Sequence, residues 1–374
     1  KFRKTGKNGI PMSELWQHLP EVSDELCMIH SLCDQNVAHG GACMKLSTGS
    51  DSLLRPSMGS WVSYGLGSMN EDLPSFVVMT PPWTGRKEAQ ALYSRLWGSG
   101  WLPAHHQGVS LRSNGDPVLF LNNPQGVTRR RRRALLDGLA ALNQEQFEAN
   151  GAPESLARIA QYEMAYRMQT SVPELMDISQ EPSSVHAMYG TQPGKVSFAN
   201  NCLLARRLIE NGSRFVTVNH FDTVFNVTCW DMHANGTSLD NTYLDYERHL
   251  CPQFDQAFTA LIEDLQERGM LEDTVVAVLS EFGRTPKLNN RGGRDHYPPA
   301  WTNFFVGGGV KGGQVIGSTD KIGAAPHERP VLPPEVVASV YTAMGIDLET
   351  TMMPGPGSRP VRFIDADPIQ ELFG

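Results

Sequence analysis

One stretch in the second half of the chain constrains the fold more than any other. Between Leu244 and Arg268, Cys251, Phe254, Phe258, Leu261, Ile262 and Leu265 recur at three- and four-residue spacing and form the apolar stripe of a long helix. Gly269 supplies a stop, and Thr274–Leu279 (TVVAVL) follows as a continuously apolar run. A strand of that kind is buried on both faces, which predicts a place in the middle of a parallel sheet with helices above and below. Only Ser280 separates this run from a carboxylate, Glu281.

The same alternation appears elsewhere. Phe198–Glu210 reads as a helix with Leu203, Leu204 and Leu208 on one stripe, Gly212 stops it, and the short run Arg214–Val218 follows as a strand. Leu26–His30, Pro74–Met79 and Asn303–Val306 are further strand candidates. Arg133–Phe147, Ser155–Thr170 and Pro334–Met344 have helical spacing, and Val185–Tyr189 sits between turns that contain Pro. Helices alternating with buried strands predict an α/β protein with helices on both faces of its sheet. No internal repeat or linker interrupts the pattern, so residues 1–374 read as one domain, with insertions and helices over 80–190.

Composition narrows the function classes. A chain of 374 residues buries a substantial core without disulfides or structural metals. Its six cysteines show no CxxC pair and no zinc-finger spacing, so buried or free thiols are expected. The net charge of -8 argues against nucleic acid or an anionic membrane as a partner, and the Arg129–Arg133 run reads as a solvated helix end. No apolar run reaches the roughly 18–20 residues of a membrane span. Residue 1 is Lys and no signal-like segment follows, so the chain reads as a processed or trimmed product whose cellular address is not visible.

In open parallel sheets ligands bind beyond the carboxyl ends of the strands. Three such ends carry chemistry. His220, Asp222, Asp231 and His233 follow Val218; Glu281, Arg284, Arg294, Asp295 and His296 follow Leu279; Asp34 and His39 follow the first strand. Mixed Asp, Glu and His donors suit zinc, manganese or iron, whereas an all-oxygen set suits magnesium or calcium. Each residue also has a plainer reading. Asp231-x-His233 could be a loop whose side chains cap backbone groups, Glu281 could simply pair with Arg284, and Asp295–His296 could be solvent-exposed between Gly293 and Pro298. His105–His106 could line a substrate pocket or pack structurally. GGGVKGG (Gly307–Gly313) lacks the phosphate-loop arrangement and reads as a turn. No Gly-x-Ser-x-Gly elbow is present, which argues against a serine hydrolase of the α/β type.

FANNCLLARRLIENGSRFVTV, WDMH, LIEDLQERGMLEDTVVAVLSEFGRTPKLNN, GRDHYP and VGGGVKGGQVIGSTD, in this order, resemble the DUF1501 family, densest over residues 198–345. SELWQHLP, MIHSL and AHGGACMKLSTGS carry a looser likeness in the first 190 residues. The resemblance implies a bacterial member of the alkaline phosphatase and sulfatase superfamily. The implied fold is an alkaline phosphatase-like α/β/α sandwich with a mostly parallel central sheet and a metal centre at the strand ends. By motif position Asp231 and His233 look like ligands of one metal, Glu281 of a second, and His296 like the late His of the pattern with Asp295 beside it. Sulfatases place a Cys or Ser nine residues before a Thr-Gly. Counted back from Thr48–Gly49, that position here is His39, which cannot become formylglycine. His39 is therefore expected to act as a metal ligand, nucleophile or general base. Family members also begin with a strand of the WD-x-FDPK type that supplies a ligand. Nothing like it precedes Lys1, so that N-terminal strand is expected to be missing.

The resulting expectation is a metal-dependent hydrolase of phosphate or sulfate esters. His39 and Arg284 are its catalytic residues, and Asp231, His233, Glu281, Asp295 and His296 hold the metal. The cofactor is a divalent cation, zinc first, then manganese, calcium or magnesium. The partner is a small anionic ester rather than nucleic acid, and the resemblance implies a periplasmic or exported protein. The rival readings are a catalytically silent binding or surface-assembly protein of the same fold and a phosphosugar mutase.

Overall fold

The computed structural model describes residues 1–51, 55–79, 93–113, 117–118, 122–220 and 224–374. The chain alternates strands and helices. An N-terminal hairpin precedes β1 (Cys27–Leu32), α1 (His39–Thr48), α2 (Met58–Leu66), β2 (Phe76–Met79) and β3 (Val109–Leu111). A long helical pair follows, α3 (Arg129–Asn150) and α4 (Pro153–Met176). Next come α5 (Phe198–Glu210), β4 (Phe215–Val218) and α6 (Cys251–Glu267). The last part contains β5 (Val276–Val278), β6 (Gly283–Arg284), β7 (His296–Tyr297), β8 (Trp301–Val306), β9 (Gln314–Ile316) and α7 (Pro333–Ala343). No helix among the described residues is long and apolar enough to cross a membrane.

The α/β class is as expected, but the sheet is not mostly parallel. β3, β2 and β4 form a three-stranded parallel sheet with β2 in the centre. A four-stranded mixed sheet has the order β9-β1-β8-β5, in which β9 runs parallel to β1 and β8 runs antiparallel to both β1 and β5. The apolar run predicted to lie mid-sheet is thus the last strand of this order, pairing through Val276–Val306, Ala277–Phe305 and Val278–Phe304. The reason is its connection. Parallel neighbours need a crossover, usually helical. Between β5 and β8 the chain makes only the short β6–β7 hairpin and returns directly, so β8 comes back antiparallel.

Alternate side chains of both sheets feed the same two core layers. Met28, Val77, Met79, Val216, Val218, Val276, Val278, Phe304 and Val306 meet Leu203, Leu204 and Leu208 of α5 and Phe258, Ile262 and Leu265 of α6. Cys27, Ile29, Phe215, Ala277 and Phe305 point the other way, toward Val336 and Val340 of α7 and toward Ile369 and Leu372. Each fully buried Val, Leu or Phe in these layers contributes roughly 1.5–3 kcal/mol. All six cysteines are free thiols.

The helix predicted over Leu244–Arg268 is broken near its start. A turn at Tyr243–Asp245 runs into a π-turn at Tyr246–Leu250 before α6 begins at Cys251. Pro252 explains the break: it has no N–H to offer the carbonyl of Arg248, so the ladder widens there. The wider turn lets the Tyr246 hydroxyl donate to the Trp230 carbonyl at 2.5 Å, which fastens the segment next to Asp231.

A candidate metal centre

Three parts of the chain converge at one end of β1 and β5. The first is the N-terminus of α1, where His39 is the first helical residue after Ala38. The second is the loop after β4 that carries Asp231 and His233. The third is the β6–β7 hairpin, whose register sets Arg284 directly opposite His296. Packing around these segments is tight. Gly293 approaches so closely that a Cβ there would lie 2.4 Å from the His233 carbonyl. Asn289 Nδ2 donates to that carbonyl at 2.8 Å, and the Arg294 amide donates to the Met232 carbonyl at 2.6 Å. Ala234, next to His233, has a φ of 51°, a left-handed conformation unusual for alanine.

Asp231 is the hub and is only 3% exposed. His39 Nε2 lies 3.2 Å from its Oδ2; His296 Nε2 and His233 Nε2 each lie 3.1 Å from Oδ1. The Arg284 guanidinium donates to the same Oδ1. The opposite nitrogens of the rings are also engaged. His39 Nδ1 donates to Glu281 Oε1 at 2.6 Å, His233 Nδ1 to Asp295 Oδ1 at 3.1 Å, and His296 Nδ1 to the Val37 carbonyl at 2.8 Å. Phe282, 3% exposed, packs its ring against His39 and His296 with centroids 4.9 and 4.4 Å apart.

The electrostatics follow from this crowding. Burial alone would raise the Asp231 carboxyl, but hydrogen bonds from His296 and His39 and the charge of Arg284 hold it far below the usual carboxylate range. Burial works against a charged His39, yet Asp231 and Glu281 on its two sides raise it to about 9. Burial likewise opposes ionisation of Glu281, and its contact with His39 lowers it nonetheless.

Could these residues hold a metal ion? His39, Asp231 and His296 offer ligand atoms that all lie within 4.8 Å of one another. The ring nitrogens add a stricter test. Glu281, Asp295 and the Val37 carbonyl only accept hydrogen bonds, so each Nδ1 must carry its proton. On its other side each ring presents Nε2 to Asp231, which also only accepts. A neutral imidazole has one N–H and cannot satisfy both. Either every ring carries a second proton or a cation sits among the Nε2 atoms. Nδ1–H held by a carboxylate or carbonyl, with Nε2 turned inward, is the usual arrangement of metal-binding histidine. The residues fit a divalent cation.

The structure therefore gathers all seven expected site residues, in two tiers. His39, Asp231, His233 and His296 face inward, whereas Glu281 and Asp295 stand behind His39 and His233. Other candidates lie elsewhere. Asp34 pairs with Lys45 at 2.6 Å. His220 accepts from Trp230 Nε1 at 2.6 Å, and burial pushes it down to about 4. His106 contacts Ser63 at 3.1 Å beside α2. Asp222 lies outside the described residues. Two contributors escaped the sequence reading. Phe282 carried a signal, an aromatic residue directly after Glu281; the Val37 carbonyl carried none, because it is backbone.

Fold and site together define an α/β protein with a His/Asp cluster that could hold a metal ion. The chain belongs to the DUF1501 family, described as proteins of unknown function, whose sequence profile matches residues 1–373. No curated protein matches it.

Proposed function

We propose that this protein is a metal-dependent hydrolase of phosphate or sulfate esters, built on an alkaline phosphatase-like sandwich. One observation carries the metal-dependent part: three imidazoles turn Nε2 toward one buried carboxylate while each Nδ1 is committed to an acceptor. The two imidazoles and one carboxylate of His39, His296 and Asp231 suit zinc first, then manganese. Support for the ester class comes from family resemblance and from Arg284, a guanidinium at the edge of the cluster.

A divalent cation in such a site supplies Lewis acidity toward an ester oxygen and lowers the pKa of water. The protein's own residues do the rest. Glu281, Asp295 and the Val37 carbonyl keep each Nδ1 protonated and each ring oriented. Asp231 neutralises positive charge at the centre. Arg284 would fork onto the anionic oxygens of the ester and stabilise the charge that grows on them. Phe282 keeps water from one face of His39 and His296. His39 has acceptors on both nitrogens, which supports a ligand role for it over that of nucleophile.

The test is metal analysis of the purified protein, followed by a screen of aryl phosphate and sulfate esters. Stoichiometric zinc or manganese, with turnover lost in His296→Ala and in chelator, is the expected result. A bound metal with no turnover of any ester would favour the silent binding protein. Absence of metal, together with indifference to chelator, would refute the metal centre itself.

A further inference from the structure

The Arg129–Arg133 run has no part in the site, and the helix it opens is unusual. α3 is 22 residues long, yet only Leu136 and Asn143 of it are buried. It rests chiefly on α4, its antiparallel neighbour. Leu135, Leu139 and Leu142 are 52, 40 and 63% exposed. Their spacing, i, i+4 and i+7, makes them one stripe. A second line runs beside it. Arg131, Gly138 and Glu145 are spaced by seven residues, so they lie one above another along the helix. All three are exposed, and nothing lies within 4 Å of where a Gly138 Cβ would be.

From this pattern we infer that α3 is a self-association surface whose occupant is the same helix of a second copy, packed antiparallel about a twofold axis at Gly138. The pattern is self-complementary about that point, as an isologous interface requires. Turning the helix end for end about Gly138 brings Arg131 to the partner's Glu145 and Glu145 to the partner's Arg131. It also brings Leu135 opposite the partner's Ala141, within one residue of its Leu142, with Leu139 beside the axis. Gly138 presents no side chain where the two backbones come closest. The helix dipoles oppose, which also favours this orientation.

Arg131 is free for this role. Arg133 is taken by Asp137 and Glu163, and Arg129 by Tyr166 and Thr170. Among the described residues, the Arg131 guanidinium makes only a 3.5 Å contact to the Gly126 carbonyl. An anionic lipid surface would also attract the arginines, but the line that starts at Arg131 ends at Glu145, with Glu148 one turn further on. Those carboxylates would be pressed against lipid phosphates, whereas a second copy meets them with arginine.

Sedimentation equilibrium of the full chain over micromolar concentrations tests this. The wild type should dimerise reversibly. Leu142→Glu should leave it monomeric with an unchanged circular dichroism spectrum, since Leu142 contacts solvent. Arg131→Glu and Glu145→Arg should each raise the dimer Kd by about tenfold, and the double exchange should restore it. In a parallel pairing Arg131 would meet its own copy, and the exchange would restore nothing. A wild type monomeric at every concentration, a dimer that survives Leu142→Glu, or a double exchange without recovery would each overturn the proposal. A monomer that instead binds phosphatidylserine vesicles would assign the surface to lipid.

Discussion

Glu281→Gln is the substitution that most directly separates two versions of the proposed metal centre. The family resemblance implies a ligand role for Glu281; the structure puts it behind His39, accepting from Nδ1 at 2.6 Å. Glutamine keeps the shape and an acceptor oxygen but loses the charge that strengthens His39 as a donor of electrons. Removing such an outer partner typically lowers metal affinity by about 10–100-fold, or roughly 1.4–2.8 kcal/mol. Asp295→Asn makes the same change behind His233, but the Asp295 side chain is 57% exposed against 20% for Glu281. Solvent screens it, so its effect should fall below about tenfold. Calorimetric titration of zinc into the metal-stripped wild type, both variants and His296→Ala gives the order. Expected is a graded series: Asp295→Asn mild, Glu281→Gln intermediate, His296→Ala with binding lost. If Glu281→Gln abolished binding as completely as His296→Ala, Glu281 would be a ligand and the two-tier reasoning would be wrong. Equal affinities in Glu281→Gln and wild type would refute it from the other side.

Other expectations concern the frame that holds the site. Gly293→Ala puts a methyl against the His233 carbonyl and should cost about 1–3 kcal/mol in denaturant unfolding; zinc affinity should fall with it, and an unchanged affinity would show that the turn does not set His233. Arg206, 2% exposed, bridges Glu181, Glu210 and Asp264 at 2.6 to 2.9 Å. Arg206→Ala strands buried carboxylates and should destabilise by about 3 kcal/mol, the low end for a broken buried pair because Arg207 and Arg268 remain. The same cluster predicts a pH response. Burial works to raise Glu181, but Arg207 and Arg206 lower it below its ordinary value. A depressed folded-state carboxylate stabilises above its unfolded pKa and loses that contribution as pH falls through the folded value. Urea unfolding should therefore show stability falling as pH drops below the ordinary glutamate range, with a shallower fall in Glu181→Gln.

How much of this was legible beforehand depends on where the information resides. Phe198–Glu210 was readable to the residue because a stripe of leucines and a following glycine are local signals. The direction of β8 was not, since it depends on the absence of a crossover helix between Val278 and Trp301 rather than on the strand's own residues. The break at Tyr246–Leu250 was available in Pro252 but was masked by the strength of the apolar stripe. For the site, strand ends supplied residues that the structure brings together and also one that it does not. Asp34 follows a strand as Glu281 does, yet Lys45, one helix away, takes it. Distance along the chain shows which side chains leave a sheet edge together. It does not show which ring nitrogen each carboxylate meets, and the proposed division into ligand and support rests on that.

Arg284 behaves as an internal counter-ion. Its guanidinium sits on the carboxylate oxygen that His233 and His296 also address, so the buried negative charge is compensated before any cation arrives. In the proposed centre, a cation held at Asp231 would compete with the guanidinium for that carboxylate, and a freed guanidinium could receive an anion. On that proposal cation and anion would bind with positive linkage, each tightening the other by the same factor. Phosphate titrated into zinc-loaded and zinc-stripped protein measures that factor, and Arg284→Lys should shrink it. A factor of one would mean that Arg284 stays on Asp231 throughout.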